Sequence, residues 1–394
     1  MDFLDTIFGH FIKPVQPLSA GVHHYQTPPE AALPYRLHLR LEADGSGILI
    51  LNAHTILHLN QTAAEYGYHL VNQTPEAGII RQLGKRYRID RKQILTDYRD
   101  FKSRIETLAT TKDVDPETFL GMERDAPYSA ALSAPYRLDC ALTYQTSGPD
   151  SGAAPDVKDE KELSFEQWKS ILEKAWDFGI PHIIFTGGEP TKRSDLADLI
   201  SCTQEIGQVS GLLTDGLRFT EAGYLKSLLE QGLDHIMLDL DVDQEKSWDA
   251  IKMALGEDIY ITVHLTLDQN TAQGWHGLID RLFTLGVYSI SLSASSQQFK
   301  NELISARRML TEKGINLVWD LPVPYSHMHP AAMENEEGEE LAKGAGKAWL
   351  YVEPNADVLP CQGKNDQILG NLLTDPWEKV WNNALSQIPR QPCE

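Results

Sequence analysis

Thr186-Gly187-Gly188-Glu189-Pro190 is the densest chemical signal in the 394-residue chain. Two adjacent glycines let a backbone come close to a ligand, and a carboxylate at the C-terminal edge of a strand sits on the face where α/β-barrel enzymes bind substrates. The same string also makes a tight turn from strand to helix. Four cysteines (Cys140, Cys202, Cys361 and Cys393) are too few and too scattered for a disulfide framework, and no pair has metal-ligand spacing. Asp239, Asp241 and Asp243 alternate and could collect a hard cation. Gln244 and Ala250 stand at the glycine and bidentate-glutamate positions of an EF-hand, so a solvated acidic rim is the simpler reading. His327 and His329 form a zinc-like pair with no clear third ligand, so no metal is expected. His182 and His264 lie among apolar residues, as hydrogen-bonded core histidines do. Ser293-Ala294-Ser295-Ser296 leaves a strand and either binds a polar ligand or caps the next turn. Cys140 would be a nucleophile only beside a base that the sequence does not name, and a buried leftover thiol is the plainer role. Gly-x-Ser-x-Gly, Walker and Gly-x-Gly-x-x-Gly patterns are absent from the sequence.

The elements that must hold these residues follow from periodicity. Residues 1–34 read as an irregular arm carrying His23-His24 and Pro28-Pro29. Leu37, Leu39 and Leu41 then alternate with polar residues, Asp44-Gly45-Ser46-Gly47 makes a turn, and 48–51 returns as a second strand. A third strand at 55–59 leads to Asn60 as a helix cap, and Thr74-Pro75-Glu76 opens a second helix. Ile94, Tyr98, Phe101, Ile105 and Leu108 mark a third. Residues 35–110 are therefore expected to form a small αβ domain, followed by a connector at 111–133.

From residue 134 to 325 strand and helix alternate every 25 to 30 residues or so, which predicts a parallel sheet or partial (β/α) barrel. The strands read as 136–142, 182–186, 210–214, 235–239, 260–267, 289–293 and 316–320. Ser164 with Gln167 three residues on caps a helix over 164–178. Residues 147–161 and 326–347 read as exposed loops, the second strongly acidic, and 348–394 as a short C-terminal piece with strands at 349–352 and 358–359. An α/β fold with a small domain in front and an extension behind is the expectation.

Charge narrows the partners. Against 35 Lys and Arg stand 56 Asp and Glu, a net −21 that repels a phosphate backbone, so no nucleic-acid partner is expected. No apolar run is long enough to span a membrane, and Met1-Asp2-Phe3-Leu4-Asp5 lacks the basic start of a secretory signal. A cytoplasmic protein without membrane insertion is expected.

The chain resembles the radical S-adenosylmethionine (SAM) superfamily, in the subgroup with a PqqD-like, winged-helix-like front domain and a SPASM/twitch-type extension. The likeness rests on several segments. In front it is Leu49 to Leu59 with Asn60-Gln61-Thr62-Ala63-Ala64. In the barrel it is Gly187-Gly188-Glu189-Pro190, Thr214-Asp215-Gly216 and Gly232-Leu233-Asp234-His235. At the end it is Tyr351-Val352-Glu353-Pro354-Asn355, Val358-Leu359-Pro360-Cys361, Leu369-Gly370-Asn371 and Trp377-Glu378-Lys379-Val380-Trp381. The resemblance implies SAM at residues 187–190 and a [4Fe-4S] cluster held by a Cys-x3-Cys-x2-Cys loop after the first barrel strand. In that register this chain offers Cys140, Tyr144 and Ser147. A phenol and a hydroxyl are poor replacements for soft thiolates, and only Cys361 stands where an extension cysteine would. The resemblance therefore implies a radical-SAM-like scaffold without its cluster, a peptide- or partner-binding pseudoenzyme whose front domain grips a peptide by strand addition. The alternative is a SAM-binding enzyme with an unconventional cluster or non-radical chemistry.

Overall fold

The computed structural model describes residues 15–28, 30–52, 55–87, 89–111, 132–147, 162–318 and 344–387. The His327/His329 pair, the acidic run at 334–340, Cys393, most of the connector and most of the loop at 147–161 lie outside the described residues. The chain divides into two compact units, residues 1–125 and 126–394. Among the described residues no helix is long and apolar enough to cross a membrane.

In the first unit, β1 (Gly21–Gln26), β2 (Arg36–Leu41), β3 (Gly47–Leu51) and β4 (Thr55–Leu59) form an antiparallel sheet in that order. Register pairs Leu37 with Leu51, and Leu39 with Leu49, which in turn pairs with Leu57, so period-2 leucines share one face. That face meets α1 (Gln61–Val71), α2 (Glu76–Arg86) and α3 (Arg91–Thr110) through Leu70, Ile79, Leu83, Ile94 and Ile105. Asn60 caps α1 by accepting from Ala63 N at 3.0 Å, and Asp90 caps α3 by accepting from Lys92 N at 3.0 Å. Glu65, buried on α1, accepts from Arg86 and from the Tyr87 hydroxyl, tying α1 to the end of α2.

One expectation is corrected here. The arm at 1–34 is not irregular throughout, because β1 pairs with all six residues of β2. Its packing comes from His23, edge-on to Tyr68 with ring centroids 4.8 Å apart, and from Tyr25 against the core. A strand whose buried face is a histidine and a tyrosine carries no aliphatic alternation to read.

The second unit is an α/β layer structure around a ten-stranded sheet. β5 (Arg137–Thr143), β6 (His182–Gly187), β7 (Val209–Thr214), β8 (His235–Asp239), β9 (Tyr260–Leu267), β10 (Ser289–Ala294) and β11 (Asn316–Val318) run parallel in sequence order. On the other side of β5 lies β12 (Trp349–Val352), also parallel, followed by antiparallel β13 (Asp357–Leu359) and β14 (Gly370–Asn371). Connecting helices are α4 (Phe165–Asp177), α5 (Leu196–Ile206), α6 (Tyr224–Glu230), α7 (Glu245–Leu255), α8 (Trp275–Leu285) and α9 (Lys300–Glu312), with α10 (Trp377–Gln387) after the sheet. The Ser164–Gln167 capping box opens α4. Every residue of β5, β7 and β10 is buried, the pattern of strands covered on both faces.

The two faces differ in chemistry. Leu138, Cys140 and Leu142 of β5 share one with Ile183 and Phe185 of β6, Ile236 and Leu238 of β8, and Val263 and Leu265 of β9. The opposite face carries Arg137 and Asp139, His182 and Thr186, His235 and Asp239, His264, and Ser291 and Ser293. Strand alternation thus sorts apolar from polar residues and aims the polar ones together.

Candidate functional site at the strand ends

The Gly187-Gly188 pair is fixed by its neighbouring strand. Gly188 N donates to Thr143 O at 2.7 Å and Glu189 N to Gln145 O at 2.6 Å, extending the β5–β6 pairing past the sheet. A Cβ on Gly188 would stand 2.3 Å from Gln145 O, and Gly187, at φ +117°, would place one 2.2 Å from Thr143 O. Only glycine tolerates that approach. Pro190 starts a 3-10 turn over Pro190–Lys192.

Glu189 is buried and accepts four hydrogen bonds, from Thr191 N at 2.9 Å, Thr191 Oγ1 at 2.5 Å, Thr214 Oγ1 at 2.7 Å and Asp215 N at 2.8 Å. It therefore holds the β6 and β7 ends together. Burial, and then the Asp215 carboxylate, push its carboxyl up to about 7, against the pull of those donors. Asp239, half-buried at the end of β8, is pushed up to about 7 by burial and by the like charges of Asp215 and Asp241. Three carboxylates thus stand at three consecutive strand ends.

On the β5 side the Tyr144 hydroxyl donates to the Glu353 carboxylate, just past β12, and packs against Ala141, Tyr351 and Leu359. Burial holds the phenol far above its ordinary range. Arg193 binds the Leu142 and Leu163 carbonyls at 3.2 and 3.0 Å while paired with Asp195. Lys192 reaches Thr146 O at 2.8 Å, so the loop leaving β5 is bound from several sides.

Cys140, Tyr144 and Ser147 are not brought together as a ligand set. Cys140 is fully buried within β5, on the apolar face, in register with Phe185 and Val352. Tyr144 lies just beyond the strand and Ser147 is exposed. Burial raises the Cys140 thiol well above its ordinary value and takes Cys361 up to about 12. Cys202 is buried on α5. No group of three or more His, Cys, Asp or Glu able to hold a metal occurs among the described residues. The donor set does not fit a [4Fe-4S] cluster, which needs thiolates converging on one point.

The remaining candidates fall into place individually. His264 is buried and shares hydrogen bonds with Ser291, Ser293 and Thr266 at 3.0, 2.9 and 3.2 Å, and desolvation lowers it to about 3. His182 meets His235 at 2.8 Å between ring nitrogens. Asp241 and Asp243 are exposed, and Asp241 accepts from Asp243 N within its own turn. Ser293 serves His264, whereas Ser296 precedes a 3-10 turn. Two participants went unread in the sequence. Asp215 was visible only as part of a Thr-Asp-Gly string, and Glu353 lies 209 residues from its partner Tyr144, beyond any local signal.

Residues 140–268 match the family model described as "Radical SAM superfamily". The "PqqA peptide cyclase" of Rhizobium meliloti (strain 1021) is 28% identical over 260 residues, 58% of this chain and 66% of that relative. Its namesake in Streptomyces rochei is 25% identical over 253 residues, 57% of this chain and 68% of the relative. The chain thus spans about two thirds of the length of these curated relatives. Among solved structures, Streptococcus suis SuiB bound to precursor peptide SuiA superposes with a TM-score of 0.58 at 15% identity, covering 93% of this chain and 88% of that one. SuiB bound to S-adenosylmethionine gives 0.57 at 17% identity, covering 88% and 86%. The matched segment runs from β5 to the end of β9 through the loop at 187–190, so this part of the chain is similar to the radical SAM superfamily and to the cyclases, and the chain has an α/β, mostly parallel fold like that of SuiB.

Proposed function

We propose that the chain is a relative of peptide-modifying radical SAM maturases that binds a peptide or protein partner and has lost its [4Fe-4S] ligands. One observation carries the reading. No cysteine occurs between Cys140 and Cys202, and Cys140 is buried within β5 on the apolar face. Three thiolates are the usual protein anchor of a cluster whose fourth iron binds SAM, and oxygen donors of high proton affinity do not replace them. The relatives named as PqqA peptide cyclases, and SuiB with its precursor peptide, support a peptide partner.

In this reading residues 35–110 are a PqqD-type, winged-helix-like module and 348–394 a SPASM/twitch-type extension left with Cys361 alone. The module takes a peptide by strand addition. Its sheet order leaves β1 and β4 as the outer strands. Anaerobic iron-sulfide reconstitution with iron counting tests the proposal: no stoichiometric iron is expected, and about four irons per chain, the content of one cubane, overturn it. Removing residues 1–110 is expected to abolish capture of a co-encoded peptide, and unchanged capture refutes the front module's role.

The second reading is a SAM-binding enzyme using residues 187–190, favoured by the family match across that loop. Its test is a SAM titration of the iron-free chain. Saturable binding lost on Gly188→Ala supports it, and no binding removes it.

A further inference from the structure

We infer that β1 is a detachable strand, an occupant built into the chain that holds the β2 edge of the front sheet, where an extended peptide adds in its place. This rests on the reading that the front module takes a peptide by strand addition, and it names the edge, the competitor for it and the side chains that fit there.

The sheet is complete without β1. Leu37, Leu39, Leu49, Leu51, Leu57 and Leu59 of β2 to β4 form the buried core with α1 to α3, and residues 15–26 add only the partly buried Leu18 and Tyr25 at its border. None of residues 15–26 is buried, whereas every residue from Leu37 to Leu41 and from Gly47 to Leu51 is. An outer strand with so little buried surface is the first part of a sheet to open. Its departure bares the β2 edge, whose backbone groups then need another strand.

The arm is held through its main chain. Gln61 Nε2 donates to Val15 O at 3.0 Å and Arg86 Nη2 donates to Gln16 O, while all six residues of β1 lie in register with β2. Any extended peptide offers the same backbone groups, and this is how sheets bind strands in trans. Side chains add selection. His23, opposite Leu39, meets the Tyr68 ring edge-on at 4.8 Å, and Tyr25, opposite Leu37, lies 6.0 Å from the Tyr35 ring. The edge therefore favours a peptide with planar rings two residues apart, both on the helix side of the sheet.

Tethering decides the competition. A strand joined to its site by a short connection is present at an effective concentration of about 1 mM, so a free peptide at micromolar levels gains the edge only when β1 is weakened.

The test is fluorescence anisotropy of a fluorescein-labelled synthetic peptide copying residues 15–27. It is titrated with the full chain and with the full-length double variant His23→Ala, Tyr25→Ala, in which the built-in strand is weakened and its site is untouched. The double variant is expected to bind at least about tenfold tighter than the unaltered chain, the size of two lost ring contacts. Adding Tyr68→Ala is expected to weaken that binding by about fivefold. A melting curve on each variant separates lost binding from lost folding. Amide hydrogen exchange on the unaltered chain is a second measurement that needs no substitution. Residues 22–26 are expected to exchange at least about tenfold faster than residues 48–51, and equal protection in the two strands would overturn the inference. Equal peptide affinity of the unaltered chain and the double variant would overturn it while leaving strand addition to β4 standing. Binding to neither form, or a doubled mass in sedimentation that shows β1 exchanged between two copies without peptide uptake, would overturn it as well. Capture of a co-encoded peptide on removing residues 1–110 decides the strand-addition reading separately.

Discussion

The Tyr144 hydroxyl donates its hydrogen bond to the carboxylate of Glu353, joining the first strand of the parallel sheet to the C-terminal extension across 209 residues. Tyr144→Phe keeps the ring in its contact with Ala141, Tyr351 and Leu359 and removes only the donor. Because the acceptor is a buried carboxylate, a loss of about 1–3 kcal/mol is expected, read as a lower urea midpoint at unchanged slope. An unchanged midpoint would mean the contact does not hold in solution.

Glu189 is expected to matter more. Glu189→Ala strips acceptors from Thr191, Thr214 and Asp215 at once, so a loss of about 3 kcal/mol or more is predicted. Glu189→Gln retains an oxygen and should recover part of it. Equal stability of the two variants would show that hydrogen bonding is not what Glu189 supplies.

The glycine pair gives a steric test. Gly188→Ala places a methyl group 2.3 Å from a backbone oxygen that is itself bound in the strand extension. Overpacking against backbone is expected to cost about 1–3 kcal/mol or more, and to loosen amide-exchange protection at Glu189 before the rest of the sheet. Gly274→Ala, where nothing lies within 4 Å, is the matched control and should be nearly neutral.

Asp239 gives stability a pH dependence of known sign. Its folded carboxyl is raised from 3.8 to about 7, so the folded state holds a proton that the unfolded chain has already released. Stability from this group is full below its ordinary value and is lost as pH rises through about 7. Asp239→Asn is therefore expected to raise the melting temperature in mildly alkaline buffer, with the advantage fading toward pH 4 or so. An advantage that grew on acidification would contradict this.

The histidines act oppositely. His235 and His264 are lowered from 6.5 to about 4 and about 3 by burial, so the unfolded chain takes up protons first and stability falls as pH drops below about 6.5. His264→Gln is expected to be less stable at neutral pH, since three hydroxyls lose their shared partner, yet to show a shallower acid limb. A parallel shift of the whole profile would refute the titration account.

How much of this was legible depended on how local the cause is. The Ser164–Gln167 capping box and the leucine alternation of β2 sit within a few residues, and the parallel order followed from strand-helix spacing. β1 escaped because its packing is a His23–Tyr68 ring contact rather than an aliphatic stripe. At the strand ends the Gly-Gly-Glu string stood out, but its glycines serve the β5 backbone and its carboxylate serves Thr191, Thr214 and Asp215. Residue types revealed the place, and only the pairing of β5 with β6 and β12 revealed their partners.

The placement of β12 also bears on how the chain is made. β5 emerges from the ribosome early in the second unit, yet one of its two neighbours comes from residues 349–352, some two hundred positions later. Until synthesis reaches them, the first parallel strand offers a bare edge to any passing polypeptide. This half of the protein therefore cannot complete its sheet until residues 349–352 have been made, and nascent chains stalled before that point are natural clients for chaperones.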